Sequence, residues 1–251
     1  MPKYKGLFKA SEGSIGDVTF AKGKDGYQMR EKNEVSAEAI ATAPSYQRTR
    51  ENMAEFSHAG KSGRLLRHAL RPLLQNAKDR LVTSRLTQTM RAVIKSDTVN
   101  VRGERRVMDG NMNLLNGFDF NVNADLALNL AVAYTSTISR ATGTMTFDVP
   151  SRVPTDAVKV PLGTTHYQIV CGGVAADFNE ETCTTDIKQS AYLPWTTATA
   201  PSLSLSVSVP PASTLPLFLV AGLLFYQEVN GVYYALKSAT HNALSIVEID
   251  S

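Results

Sequence analysis

The sequence predicts an α+β protein: a β-hairpin arm, a short helical segment, then an antiparallel β-sandwich of immunoglobulin-like or jelly-roll type. Three observations carry this expectation. Leu65, Leu66, Ala69, Leu70, Leu73 and Leu74 recur at helical spacing. Residues 202–209 alternate strictly as Ser-Leu-Ser-Leu-Ser-Val-Ser-Val, so one face of a strand is buried and the other is wet. Asn230-Gly231 lies between two apolar runs, and that dipeptide suits a two-residue hairpin turn. The expected organisation is an arm over 1–44, a basic helical segment over 45–97 and a sandwich over 98–251. With 251 residues, 43% hydrophobic and 20% charged, the chain can bury a sizeable core. That composition excludes collagen, a disordered chain and a coiled coil. Two cysteines cannot build a disulfide framework or a four-thiolate metal site.

In the arm, residues 17–20 and 27–30 are short β-prone runs around Lys22-Gly23-Lys24-Asp25-Gly26, a turn-rich stretch. Six of the first 30 residues are Lys or Arg and five are Gly. Such an arm folds back on its own domain or reaches a neighbour. Pro44-Ser45 marks a helix start, with Ser45 as N-cap. Pro72 interrupts the leucine run, which predicts two helices there. A further helix is expected over 79–94, with Leu81, Val82, Leu86, Met90, Val93 and Ile94 on one side. Asp79 falls in its first turn, where a negative charge suits the helix dipole. Gly60 and Gly63 mark a bend or a close approach.

Residues 98–102, 106–108 and 118–122 read as strands, with an Asn-rich turn between 111 and 117. Sandwich strands are expected over 126–137, 144–149, 166–172, 187–193, 203–209, 217–228, 232–237 and 244–249. Prolines at 150, 154, 161, 194, 201, 210, 211 and 216 punctuate the loops between them. The most apolar run, 215–226, has 12 residues. A membrane-spanning helix needs about 20, so no membrane span is predicted and a buried strand fits better. No secretory leader opens the chain, so synthesis in the cytoplasm is expected, with release by lysis as an assembled particle the route to any outside role. Cys171 and Cys183 are 12 residues apart; buried thiols are expected, with a disulfide as the alternative.

The net charge of +3 conceals a polarity. Residues 1–110 carry 21 Lys and Arg against 12 Asp and Glu, whereas residues 111–251 carry 5 against 11. The basic half suits an anionic partner, and the two halves of neighbouring copies suit each other. Helices carrying charge beside a Ser/Thr-rich sheet give the same asymmetry with no partner. Arg64, Arg67 and Arg71 share one helical face, and Arg102, Arg105 and Arg106 flank Gly103. These six are the candidate assembly or anion-binding residues, because guanidinium forks grip phosphate or carboxylate.

No enzyme motif is present. His58, His68, His166 and His241 form no metal-ligand pattern. Ala59-Gly60-Lys61-Ser62-Gly63 has only the end of a phosphate loop: Glu55 stands where its first glycine belongs. The acidic stretch Asp177-Phe178-Asn179-Glu180-Glu181 lacks the spacing of a calcium loop. No catalytic residue, cofactor or metal is therefore predicted.

Three segments share a pattern. They are Gly13-Ser14-Ile15-Gly16-Asp17-Val18-Thr19-Phe20, then Tyr27-Gln28-Met29-Arg30-Glu31-Lys32, then Tyr46-Gln47-Arg48-Thr49-Arg50-Glu51-Asn52-Met53-Ala54-Glu55-Phe56, which runs on into Gly60-Lys61-Ser62-Gly63-Arg64-Leu65-Leu66-Arg67. The pattern resembles an uncharacterised family of Bacteroidota proteins with a Gly-rich β start, an Arg-rich helical middle and a β-sandwich end. The resemblance covers roughly residues 10–110. It offers no catalytic residues, and it implies tubular particles of rhapidosome-like or phage-tail-like kind.

The expected function is a non-enzymatic structural subunit that polymerises head-to-tail into a filament, tube or phage-like particle. One alternative is nucleic-acid binding through Arg64, Arg67, Arg71, Arg102, Arg105 and Arg106. Another is a carbohydrate- or surface-binding module using Trp195 and Tyr192, although core packing is the commoner use of a lone Trp. An enzyme without a recognisable motif is the remaining one.

Overall fold

A computed structural model describes residues 13–23, 26–31, 35–236 and 240–251. The start of the arm, Lys24 and Asp25 of its expected turn, the end of the arm at 32–34 and Lys237 at the end of an expected strand lie outside the described residues. The chain divides into an N-terminal unit ending at Arg50 and a larger unit from Glu51 to Ser251.

The N-terminal unit holds a three-stranded antiparallel sheet, β1 (Gly13–Ile15), β2 (Val18–Gly23) and β3 (Gly26–Glu31), in sequence order. The expected hairpin is the β2–β3 pair, and β1 extends it. Helix α1 (Ala37–Thr42) follows, a short element that apolar spacing does not reveal. Its N-cap is Ser36, whose hydroxyl accepts from the Ala39 amide. Arg50 closes its other end by donating to the carbonyls of Ile40 and Ala43 at 2.8 and 2.9 Å. Ser45 is not a cap: Pro44–Tyr46 forms a single 3-10 turn that leads into α2 (Gln47–Ala69).

The larger unit continues α2 and adds α3 (Arg71–Leu74) and α4 (Val82–Lys95). Pro72 sits in the first turn of α3, where its missing N–H costs nothing, so the chain breaks at Leu70 as expected. Gly60 and Gly63 stay inside α2; Gly63 faces Leu86, with only 3.5 Å available to an added Cβ. Next come α5 (Leu126–Asn129), β4 (Thr135–Ser139), β5 (Thr144–Val149), α6 (Pro154–Ala157), β6 (His166–Asp177), β7 (Thr182–Gln189) and β8 (Leu193–Pro194). The chain ends with β9 (Leu203–Ser208), β10 (Leu217–Val229), β11 (Val232–Leu236) and β12 (Ala243–Asp250).

These strands form the antiparallel sandwich. The smaller sheet has the order β4-β5-β9. In the larger sheet β10 pairs with β6 along one side. Along its other side β10 pairs first with β12, through Leu223, and then with β11, from Phe225. Strands β7 and β8 share the outer side of β6 in the same way. The helices cover the face of the larger sheet away from the sandwich core.

That layering explains why β6 and β10 read as continuous apolar runs rather than alternating ones: both of their faces are buried. Val170, Val174, Phe218, Val220 and Leu224 join Leu66, Leu70, Leu73, Leu86 and Met90 in the helix-side core. Tyr167, Ile169, Cys171, Leu219, Leu223 and Phe225 meet Met145, Phe147, Leu205 and Val207 in the core between the sheets. Strand β9 alternates as expected, with Leu205 and Val207 inside and the serines outside. At the β10–β11 turn Asn230 and Gly231 both take positive φ, 54° and 79°, as a type I′ hairpin requires.

Several expected elements differ. Residues 98–108 form turns, not strands, because Asp97 takes the backbone donors that a strand partner would need. Residues 118–122 make only a bridge, Asp119 to Ser245, and short backbone bonds to β12. The strand expected over 126–137 is divided: Asp125 caps α5 through the Leu128 amide, and pairing starts at Thr135. The strand expected at 187–193 lies earlier, at Thr182–Gln189, because β6 runs on to Asp177 and returns through a tight turn. Both cysteines are free. Cys171 points into the inter-sheet core and Cys183 packs on the helix side. Burial, with the Asp186 charge adding to it, pushes the Cys171 thiol up to about 12, so it stays protonated.

Candidate functional site

The six predicted arginines fall in four places. Arg64, exposed on α2, lies beside the β6–β7 turn, where Lys61 donates to Glu181 at 2.7 Å. That hydrogen bond outweighs an opposing desolvation and, with the Lys61 and Arg64 charges, holds the Glu181 carboxyl below its usual range. Part of the basic helix thus meets the acidic loop within one chain. The loop itself is a closed turn, since Asp177 accepts from the amides of Asn179 and Glu180. Arg102 is held by Glu51 at 3.4 Å and Asn52 at 2.8 Å.

Arg105 and Arg106 line a groove of about 670 Å³ with His58, Asn100, Glu104 and Glu180. His58 Nε2 accepts from the Val107 amide at 3.2 Å. Burial, then the charges of Arg106 and Lys61, lowers its pKa, so it sits neutral with the proton on Nδ1. Arg67 and Arg71 line a separate groove of about 690 Å³ with Lys78 and Arg80. Sequence spacing misses the last two because they follow the helix break at Leu70, where a helical period no longer applies.

The sheet of the N-terminal unit has one largely apolar face. Register places Ile15, Val18, Phe20, Tyr27 and Met29 together on it, with Lys22 and Glu31 at its margins, and Ser14, Thr19, Ala21, Gln28 and Arg30 opposite. Lys22 lies over the Tyr27 ring at 5.9 Å. No described residue from 13 to 50 is buried; Ile15 is 73% exposed and Met29 41%. Val18, Phe20 and Tyr27 on the same face are half-buried.

A second open surface is the hairpin at the edge of the larger sheet. The outer side of β12 is covered by backbone bonds from residues 117–120, but among the described residues no backbone hydrogen bond reaches the outer side of β11. Val232 and Tyr234 there are 51% and 56% exposed. Tyr233 stacks on Tyr192 with ring centroids 3.9 Å apart and planes at 11°. His166 meets the edge of the Tyr233 ring at 4.9 Å. Trp195, by contrast, packs against the inter-sheet core and donates to the Val158 carbonyl, so it is not part of an exposed platform.

A small cavity of about 190 Å³ holds Asp119, Asp125, Tyr134 and Ser245. Burial, then the Asp125 charge, raises the Asp119 pKa to about 6, against opposing hydrogen bonds from Ser245 and Leu126. The folded value lies above the unfolded one, so this carboxyl's contribution to stability is present at acid pH and is lost as pH rises through about 6. Asp119→Asn is therefore expected to gain in Tm relative to the parent as pH rises from about 4 to about 6, and to keep that gain above it. A Tm difference that is flat with pH refutes that assignment.

Among the described residues no three His, Cys, Asp or Glu side chains converge as a metal site, and no helix is long and apolar enough to cross a membrane. Comparison with protein-family models, with curated proteins and with solved structures finds no match.

Proposed function

We propose that the protein is a non-enzymatic structural subunit that self-assembles head-to-tail, its N-terminal sheet docking on a neighbouring copy. The observation that carries this reading is the apolar face of the β1–β3 sheet, in a unit with no buried described residue. Covering such a face stabilises by about 25 cal/mol per Å² of apolar surface removed from water. On the neighbouring copy the exposed side chains of Val232 and Tyr234 offer an apolar surface to that face, and the open edge of β11 accepts an edge strand of the arm sheet beside it. Donor and acceptor are different surfaces, so the contact is heterologous and yields an open filament or tube unless its rotation closes a ring. The charge polarity between the two halves of the chain steers that encounter and makes it salt-sensitive.

Negative-stain electron microscopy and light scattering across a salt series test the proposal. The full chain is expected to form regular high-mass assemblies. Deletion of residues 1–34 is expected to leave a folded, monodisperse subunit, because the cores of the larger unit contain none of those residues. A full chain that stays at 27.2 kDa at every salt concentration refutes self-assembly. Assembly that survives the deletion refutes the role of the arm.

A further inference from the structure

The groove at the end of α2 carries an electrostatic imbalance that self-assembly through the arm does not use. It lies wholly within the larger unit. Arg67, Arg71, Lys78 and Arg80 line it, and its volume of about 690 Å³ falls within the roughly 300–1,000 Å³ typical of small-molecule sites. Its single lining carboxylate, Asp79, is already occupied. Asp79 is ion-paired with Arg85, accepts from the amides of Leu81 at 2.6 Å and Val122 at 2.9 Å, and has a side chain only 5% exposed. Among the described residues, none of the four lining cations is paired with a carboxylate. The only hydrogen bond any of their side chains makes to a described residue runs from Arg67 Nε to the Gly63 carbonyl at 3.2 Å. Arg64 adds like-charge repulsion beside Arg67. Four cations in one concavity without counter-charge repel one another, and an anion relieves that cost.

We propose that this groove binds a run of adjacent phosphate groups. Three guanidiniums supply parallel N–H forks matched to phosphate oxygens, and Lys78 supplies a point charge. Gln75 and Thr83 add neutral donors to the wall. No aromatic side chain lines the groove, so it offers no stacking surface for bases and contacts phosphate alone. Its two apolar members, Leu74 and Val82, are 4% and 5% exposed and belong to the helix-side core. An acidic peptide would therefore find no seat for its apolar side chains. A run of phosphates has two sources, free polyphosphate or the backbone of a nucleic acid, and both present the same oxygens to the forks.

Isothermal titration of the full chain tests the site with three probes: sodium tripolyphosphate, a single-stranded oligothymidylate and polyglutamate, each at about 50 and about 200 mM salt. Arg71→Gln/Arg80→Gln removes two exposed cations, and Lys159→Gln/Lys188→Gln, two exposed lysines outside the groove, serves as the charge-matched control. Tripolyphosphate is expected to bind the parent and the control alike, and the double variant at least about tenfold more weakly. With the oligonucleotide, the slope of log affinity against log salt is expected to fall by roughly 1.4 in the double variant, about 0.7 for each lost phosphate contact. A much tighter oligonucleotide than tripolyphosphate identifies nucleic-acid backbone as the source, and binding of tripolyphosphate alone identifies free polyphosphate. The proposal is overturned if neither phosphate probe binds, if the double variant binds as the parent does, or if polyglutamate binds as tightly as the phosphates. Should the double variant misfold by circular dichroism, Arg80→Gln alone, in the loop before α4, decides the question through the same comparison.

Discussion

Gly173→Val is expected to lower the Tm of the larger unit by roughly 8–16 °C, the equivalent of about 4 kcal/mol at about 2–4 °C per kcal/mol for a chain of this size. Gly173 lies in the middle of β6, facing β5 and β9 of the smaller sheet. A Cβ there would stand 2.8 Å from Val207 Cγ2 and 3.1 Å from Met145 Sδ, inside van der Waals contact. Both neighbours are in the inter-sheet core and are 1% and 0% exposed, so neither can swing out to water. Valine adds two further methyls on a strand that is buried on both faces. Val207→Ala in the same chain should recover much of the loss, because it vacates the volume the new side chain needs. The adjacent Gly172 gives the contrast. Its Cβ would stand 3.3 and 3.2 Å from the ends of Leu70 and Leu73 and 3.8 Å from Ile187 Cγ1, so a shift of a few tenths of an ångström relieves the contact. Gly172→Ala should therefore cost clearly less than Gly173→Ala. Equal losses, or a Gly173→Val chain that melts with the parent, would show that the two sheets do not close on β6 as described.

Legibility in the sequence tracks how local the cause is. The hairpin at Asn230-Gly231, the alternation of β9 and the break at Pro72 depend on two to eight neighbouring residues, and each is found where its pattern points. The apolar run of β10 declares a buried strand, but not that helices and a second sheet lie on opposite sides of it; that needs the partner layers. The β-prone run 98–102 fails although its cause is adjacent: Asp97 collects backbone amides as far on as Arg106, and local pattern does not reveal that this carboxylate is buried. The α5 segment fails for a similar reason, an N-cap at Asp125 ahead of only four helical residues. For the arginines, helical periodicity brings Arg64, Arg67 and Arg71 to one face. It cannot show that Arg64 stands beside the acidic β6–β7 turn, or that Lys78 and Arg80 return to the same groove after the chain has turned. The uncovered arm face and the open β11 edge were not separable from ordinary strands in sequence, since alternation alone does not say whether the apolar side meets a core.

Asp97→Ala is expected to destabilise the larger unit by about 3 kcal/mol and to release the loop that carries Arg102, Arg105 and Arg106. Asp97 is 1% exposed just beyond α4, in the reverse position from a helix cap. Its carboxylate accepts from the amides of Val99 at 2.8 Å, Asn100 at 3.0 Å and Arg106 at 3.0 Å, and from the Asn100 side chain at 2.8 Å. These bonds draw the segment into a closed turn, and Glu55 completes it by accepting from the Gly103 amide at 3.0 Å. Alanine leaves the donors without their acceptor, and a hydrogen bond to a charged group contributes about 1.5–3 kcal/mol net, so the expected loss is that of one to two such bonds once water reaches the released amides. Burial alone would raise the Asp97 pKa, but the four hydrogen bonds overcome it and hold the carboxyl well below the usual range. The folded value is thus below the unfolded one, so the stabilisation is present above the ordinary carboxylate range and is lost as pH falls through it. The parent should therefore lose stability on acidification more steeply than Asp97→Ala. Amide exchange at Val99, Asn100 and Arg106 should accelerate in the variant while the β6 and β10 amides remain protected, separating release of the loop from global unfolding. Unchanged exchange at those three amides would mean that the loop is held by something other than Asp97.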